Sequence, residues 1–365
     1  MRRIFPVILV LCLLLCACGT QNPGQTTAAT TQTTTQATTE ATTVPATVET
    51  EPPVVYRNPL SGEILDAPYT GRPTAVVINN IKACLPHHGV SEADIMYEIE
   101  TEGGITRCLA VFSDLTDVGT LGPVRSARSF FNNVAVSYNA PIIHCGGSEK
   151  GRTGGYSDGS GKITNWAHLD QMYNGKYFYR DEDRYNYQGY NWEHTLFTTG
   201  EKLIAGLEAK GYTPGGDVVD YGLLFEDQVT LAGEKAEKIV ITFLGTKTTT
   251  MTYDKTSGLY TMGQYDMDYI DANTGKDMTF KNVMVLYTDQ WKISDGTYYR
   301  SYYELEGTGD GYLAIDGKIV PIKWSRDDLY SPFTYTLADG TPLTLAAGHT
   351  YMAIAGSKST PIAYE

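Results

Sequence analysis

Residues Glu98–Arg128 read EIETEGGITRCLAVFSDLTDVGTLGPVRSAR, and the fold is read outward from them. Just upstream, Ile95, Tyr97 and Ile99 alternate with Met96, Glu98 and Glu100. A period of two predicts a strand with one buried face. Glu102-Gly103-Gly104-Ile105 turns the chain and Thr106 to Phe112 returns it, the pattern of a hairpin closed by two glycines. That register sets Arg107 opposite Glu100 and diagonal to Glu98 and Glu102. It fits a cross-strand ion pair, and it equally fits a charged cluster beside a ligand.

Gly122-Pro123 makes the next turn, and Ser126 is positioned to cap a helix running to about Tyr138. Ala127, Phe130, Phe131, Val134 and Tyr138 form its apolar stripe. Arg125 and Arg128 flank the start of this helix, where the macrodipole is already positive and acidic residues are the usual choice. Two guanidiniums beside free backbone N–H groups suit an anion. The competing reading pairs both arginines with Glu98, Glu102 or Asp114.

Two short apolar runs flank this region: Pro73–Asn80, PTAVVINN, and Pro141–Cys145, PIIHC, the latter ending in Gly146-Gly147-Ser148. A strand running into a glycine turn is where α/β sheets place ligands, although this turn lacks the Lys-Ser/Thr of a phosphate-cradling P-loop. Residues 149–163 are a glycine- and polar-rich loop, followed by Trp166, His168, Asp170, Arg180, Arg184 and Glu193-His194. Thr198 with Glu201 reads as a capping box for a further helix. From about Lys238, strand-like runs alternate with Gly, Asp and Asn turns, with hairpin cues at Asp316-Gly317 and Asp339-Gly340. The expected architecture is an α/β (or α+β) domain over 53–235 followed by a mostly antiparallel β module over 236–365.

Ahead of these lies an export signal. Arg2 and Arg3 precede an apolar run from Ile4 to Leu15, too short to span a bilayer comfortably. Leu15-Cys16-Ala17-Cys18 then resembles a bacterial lipobox, which predicts cleavage after residue 17 and acylation of Cys18. Thr20–Thr50 contains fourteen threonines and almost no large apolar residue. Such a stretch cannot offset its chain entropy by burial, so 18–52 reads as a tether with a reach of roughly 30 Å. These features predict a protein on the outer face of the cell membrane, held by its lipid. Its 365 residues carry a net charge of −14, which argues against a nucleic-acid partner. Tyrosine is frequent, 27 residues against 10 phenylalanines, which suits sheet faces and wet, carbohydrate-like interfaces alike.

Losing the signal and acylating Cys18 leaves Cys84, Cys108 and Cys145, an odd number that allows one disulfide at most. The six histidines show no metal-ligand spacing, and no cofactor motif is present.

Taken together, Ala93-Asp94-Ile95, Tyr97-Glu98, Glu102-Gly103-Gly104-Ile105-Thr106-Arg107 and Gly122-Pro123-Val124-Arg125-Ser126-Ala127-Arg128 resemble the YerB-like family of Gram-positive lipoproteins, a family named for unknown function. His144 with Gly146-Gly147-Ser148, Tyr177-Phe178 with Arg180, and Arg184 with His194 fit the same pattern, as do Asp316-Gly317-Lys318, Trp324 and Asp339-Gly340. Tyr351 stands where the family usually has Trp. The resemblance implies a two-module surface lipoprotein and supplies no reaction. From the residues, Arg107, Arg125, Arg128, His144 and Arg180 are candidates for holding a phosphate or carboxylate of an envelope glycan or metabolite. Glu98, Glu102, His144 and His194 are the candidate acid–base groups of an alternative hydrolase or phosphotransferase. A scaffold whose arginines only knit the hairpin to the helix is the third reading. Whether the protein is an enzyme stays open at this point.

Overall fold

Strand β1, Thr74–Asn80, is buried along its whole length, as are β2, Ile95–Glu100, and β3, Thr106–Phe112. In this computed structural model, which describes residues 54–147, 166–212, 219–243, 247–294, 299–357 and 360–365, they form the centre of an eleven-stranded sheet. The signal, Cys18, the threonine-rich tether and the loop at 149–163 lie outside the described residues. Beyond β1 the sheet continues through β4, Ile142–His144, and β5, His168–Asp170, both parallel to it. On the other side come β6, Asn282–Thr288, β7, Gly307–Ile315, β8, Lys318–Arg326, and β9, Thr350–Gly356. The order is β8-β7-β6-β9-β2-β3-β1-β4-β5. Strands from both sides of residue 235 therefore share one sheet, joined where β9 pairs in parallel with β6 and with β2.

Both faces of this sheet are covered, so its strands read as continuous apolar runs more than as alternation. Ala75, Val77, Ile95, Tyr97, Ile99, Met352 and Ile354 face helix α1, Ser129–Ser137, which contributes Phe130, Phe131 and Val134. Val76, Ile78, Met96, Cys108, Ala110, Tyr351 and Ala353 face the opposite way. There they meet Leu203 and Leu207 of the helix Gly200–Ala209, and Ile239, Ile241, Met251 and Met262 of a second, six-stranded antiparallel sheet. The expectation of one buried face for β2 is corrected accordingly: its polar residues Glu98 and Glu100 are buried too. The fold is mostly β overall, and the part before residue 235, whose long described helices are α1 and Gly200–Ala209, is not clearly α/β.

Local chemistry sets several details differently from the sequence reading. The β2–β3 register is Glu100↔Thr106 and Ile99↔Arg107, one residue from the register expected. Glu102–Gly104 forms a 3-10 turn, with Gly103 and Gly104 both at positive φ, and Thr101 N–H donates to Ile105 across its base. The added residue in the turn moves Arg107 off Glu100. The helix cap is displaced as well: Arg128, not Ser126, occupies the N-cap position of α1, and its side chain makes no capping bond. In the later helix Thr199, not Thr198, is the cap, accepting from Lys202 N–H at 3.2 Å. The Asp316-Gly317 hairpin forms as expected, joining β7 to β8 with both turn residues at positive φ. Cys84, Cys108 and Cys145 are all free thiols.

Candidate functional site at the entrance of helix α1

Beyond Ile143 the edge of β1 is taken over by the segment 123–127. Asn79 N–H donates to Pro123 O at 2.9 Å and Arg125 N–H to Val77 O at 2.9 Å, while Cys145 N–H reaches Arg125 O and Ala127 N–H reaches Gly146 O. The segment is thus wedged between the carboxyl ends of β1 and β4. Gly122 permits this: its φ is +148°, and a Cβ there would lie 2.9 Å from Leu196 O and 2.7 Å from the Phe197 ring. The wedge leads into α1, so a helix N-terminus opens beside the carboxyl ends of parallel strands, where ligands of such sheets gather.

Side chains converge at this entrance. Arg107 lies in one row with Ile99 and Asn79 and so shares the α1 face of the sheet. Its Nη1 donates to Ser126 O at 2.6 Å, its Nε has no partner, and only 6% of the residue is exposed. Burial, with Arg128 and Arg125 nearby, holds its pKa well below the usual arginine value. Arg128 forks Glu102, Nε to Oε1 at 2.7 Å and Nη2 to Oε2 at 2.8 Å, with Arg300 Nη1 3.6 Å from the same carboxylate. Arg125 reaches the half-exposed Glu193 at 2.9 Å, leaving its buried Nε unpartnered. The arginines at the helix start therefore each have a carboxylate: Arg128 takes Glu102, as the pairing reading allowed, and Arg125 takes Glu193, which that reading did not name. Arg107 does not meet Glu100.

The unpartnered atoms are the informative ones. Among the described residues eight buried side-chain N or O atoms have no hydrogen-bond partner. Five of them are Arg107 Nε, Arg125 Nε, Ser129 Oγ and both amide atoms of Asn132. Ser129 and Asn132 are each 1% exposed and stand three residues apart, on one face of the first turn of α1. A buried polar atom without a partner costs about 1–3 kcal/mol, so each of them asks for a reason. Sequence reading missed Ser129 and Asn132. Their signal was polar residues one helical turn apart in a helix that is buried along its whole length.

The remaining candidates divide. His194 joins the entrance: its Nδ1 is 2.9 Å from Asn79 Nδ2, and its neighbour Glu193 carries the Arg125 contact. Arg180 stands at the rim, donating to Trp192 O at 2.7 Å with its guanidinium 4.9 Å over the Trp192 ring. His144 ends β4. Its Nδ1 lies 2.8 Å from Gly146 O, which can only accept, so the neutral ring carries its proton there and Nε2 accepts from His168 Nδ1 at 3.1 Å. Glu98 is on the other face of the sheet. It accepts from Asn80 (2.9 Å), Thr106 (2.6 Å), Thr249 (2.7 Å) and Tyr351 (2.7 Å) and pairs with Lys247 at 3.1 Å, which uses up its acceptor sites. Geometry thus separates Glu98 from the arginines. Among the described residues no group of three or more His, Cys, Asp or Glu is arranged for a metal ion. A cavity of about 590 Å³ lies elsewhere, lined by Tyr69, Arg72, Ser113, Asp114, Leu207 and Tyr212 among others.

Residues 60–213 match the N-terminal domain, and 239–352 the C-terminal domain, of the protein family of unknown function DUF3048. The chain belongs to that family. A Bacillus subtilis relative described as "Putative lipoprotein YerB" is 28% identical over 287 residues, covering 73% of this chain and 80% of the relative. The crystal structure of the YerB protein from Bacillus subtilis matches with a TM-score of 0.69 at 25% identity, over 84% of this chain and 99% of that one. The resemblance read from the hairpin and the Gly-Pro-Val-Arg segment is therefore correct, and the DUF3048 family brings no reaction with it.

Burial lowers the pKa of His87 (to about 3), His88, His144, His168 and His194. Glu98, Glu102 and Glu193 are also low. Burial pushes each up, but Lys247 and the hydroxyl donors, Arg128, and Arg125 respectively outweigh it. In every case the folded pKa lies below the unfolded one, so the stabilisation is full above the unfolded value and is lost as pH falls through the folded value. Melting temperature is expected to fall on acidification from pH 7, beginning below about 6.5 as the histidines come into play and continuing through the carboxylate range. A melting series from pH 7 to 4 checks this, and a flat profile contradicts it.

Proposed function

We propose that this DUF3048 protein is a lipid-anchored lipoprotein of the outer membrane face, joined through Cys18, whose body binds a phosphate- or carboxylate-bearing ligand of the cell envelope at the entrance of α1. The observation that carries the reading is the pair of unpartnered buried guanidinium nitrogens, Arg107 Nε and Arg125 Nε, beside the N-terminus of α1, which has no side-chain cap. An anion would accept from these groups and from the first free N–H groups of the helix. The lipobox and the family's lipoprotein relative support the location.

Binding is favoured over catalysis by what the acid–base candidates are doing. Both oxygens of Glu102 are held by Arg128, and Glu98 lies across the sheet. A pure scaffold would account for the Arg128–Glu102 and Arg125–Glu193 pairs and for the Arg107–Ser126 O bond, but it leaves Arg107 Nε and Arg125 Nε buried without a partner. Glu102 competes with any incoming anion for Arg128. Glu102→Gln is therefore expected to tighten binding of inorganic phosphate by about tenfold, as a nearby negative charge is removed. Titration calorimetry on wild type and variant measures this. Unchanged or weaker phosphate binding by the variant counts against the clamp.

A further inference from the structure

The turn Trp192–His194 joins the arginine site to solvent. Glu193 meets Arg125 and His194 meets Asn79, with 3.6 Å between the His194 ring and the Glu193 carboxylate, while Trp192 faces solvent, 48% exposed. Tyr185, also 48% exposed, packs against it. The rings are held, not dangling: Tyr185 meets Trp192 edge-on at 5.3 Å, and the Arg180 guanidinium lies over the Trp192 ring at 4.9 Å while donating to Trp192 O. Arg180 in turn feels the charge of Arg125, which ties the aromatic rim to the arginine entrance.

A cluster of exposed aromatics carries a desolvation incentive that solvent alone does not explain. Its character narrows the partner. Tyr185 carries a phenol hydroxyl and Trp192 an indole N–H, so the surface is apolar on its faces and hydrogen-bonding at its tips. Such a surface matches a sugar ring, whose C–H face packs on an aromatic plane while its hydroxyls reach polar tips. A held ring also loses little rotamer freedom on binding. The arginines beside it select negative charge, in a protein that is otherwise strongly acidic.

Resting on the anion-site reading above, we infer that the ligand is a glycan polymer carrying phosphate or carboxylate groups, with a sugar ring seated on Trp192 and Tyr185 and its charged group at Arg107 and Arg125. The test uses the detergent-solubilised full chain with four polymers, phosphorylated dextran, polygalacturonate, neutral dextran and polyphosphate, and with inorganic phosphate. One charged glycan is expected to bind at least tenfold more tightly than both neutral dextran and polyphosphate, and which one it is separates phosphate from carboxylate. The Trp192→Ala/Tyr185→Ser variant is expected to lose that gain and to keep wild-type binding of inorganic phosphate. Tyr185→Ser alone gives a partial loss in a protein that melts like wild type. Glycan binding unaffected by these changes, or polyphosphate bound as tightly as phosphorylated dextran, overturns this inference and leaves the anion site standing. Absence of any response to inorganic phosphate in the wild type overturns both.

Discussion

Lys247→Met is expected to cost the fold about 3–5 kcal/mol, the largest stability effect of any single change considered. Lys247 and Glu98 are both essentially inaccessible, and their ion pair at 3.1 Å sits between the two sheets. Removing the ammonium leaves a buried carboxylate held only by Asn80 and the hydroxyls of Thr106, Thr249 and Tyr351. Those donors soften the loss and do not replace the charge. Three of the five contacts to Glu98 come from Lys247, Thr249 and Tyr351, beyond residue 235, so the network also bolts the two family domains together across the β2–β9 seam. Urea unfolding at pH 7 is the measurement, with a single transition expected because both domains share one sheet. The variant's carboxylate should also protonate at higher pH, moving the onset of acid unfolding upward. A Glu98→Gln/Lys247→Met double variant is expected to recover part of the loss, since no lone charge stays buried. A loss under 1 kcal/mol in Lys247→Met contradicts the network.

Arg107→Met is expected to do the reverse, separating binding from stability. Arg107 is buried, its Nε is unpartnered, and its charge sits beside Arg125 and Arg128. The fold gains one hydrogen bond from it, to Ser126 O, worth about 1 kcal/mol. Against that stands the cost of burying a guanidinium whose nearby carboxylate, Glu102, is already held by Arg128, a cost that an apolar side chain of similar length avoids. The melting temperature without ligand should stay unchanged or rise by a few degrees. Anion binding should weaken by about 30-fold or more, the usual consequence of deleting a buried charged partner. A residue kept at a cost to stability is the mark of a functional position.

The strands of this fold were legible because β1, β2, β3 and β4 are short apolar runs bounded by turn chemistry, and long-range pairing did not have to be guessed to see them. Tyr351 shows where that legibility stops. The sequence marks it only as a departure from the family's Trp, yet its hydroxyl donates to Glu98, 253 residues away. Periodicity around Glu98 cannot reveal that the polar side of β2 is buried, since that depends on Lys247 and Thr249 arriving from another sheet. At the site, the anomaly of Arg125 and Arg128 at a helix start was readable, but their partners were not. Glu193 comes from 68 residues on, and the extra turn residue at Glu102–Gly104 shifted Arg107 by one position. Which arginine lacks a direct carboxylate contact was therefore not readable: the spacing allowed Arg107 to pair with Glu100, and the fold sets it on Ser126 O, near a Glu102 carboxylate that Arg128 holds.

The central claim is that the entrance of α1 is an anion site organised on Arg107. Calorimetric titration of inorganic phosphate into wild type and Arg107→Met, at constant ionic strength with chloride as control, tests it most directly. The account predicts saturable phosphate binding by the wild type, none measurable by the variant over the same range, and equal or greater thermal stability of the variant without ligand. Equal binding by both proteins, or no binding by the wild type, contradicts it.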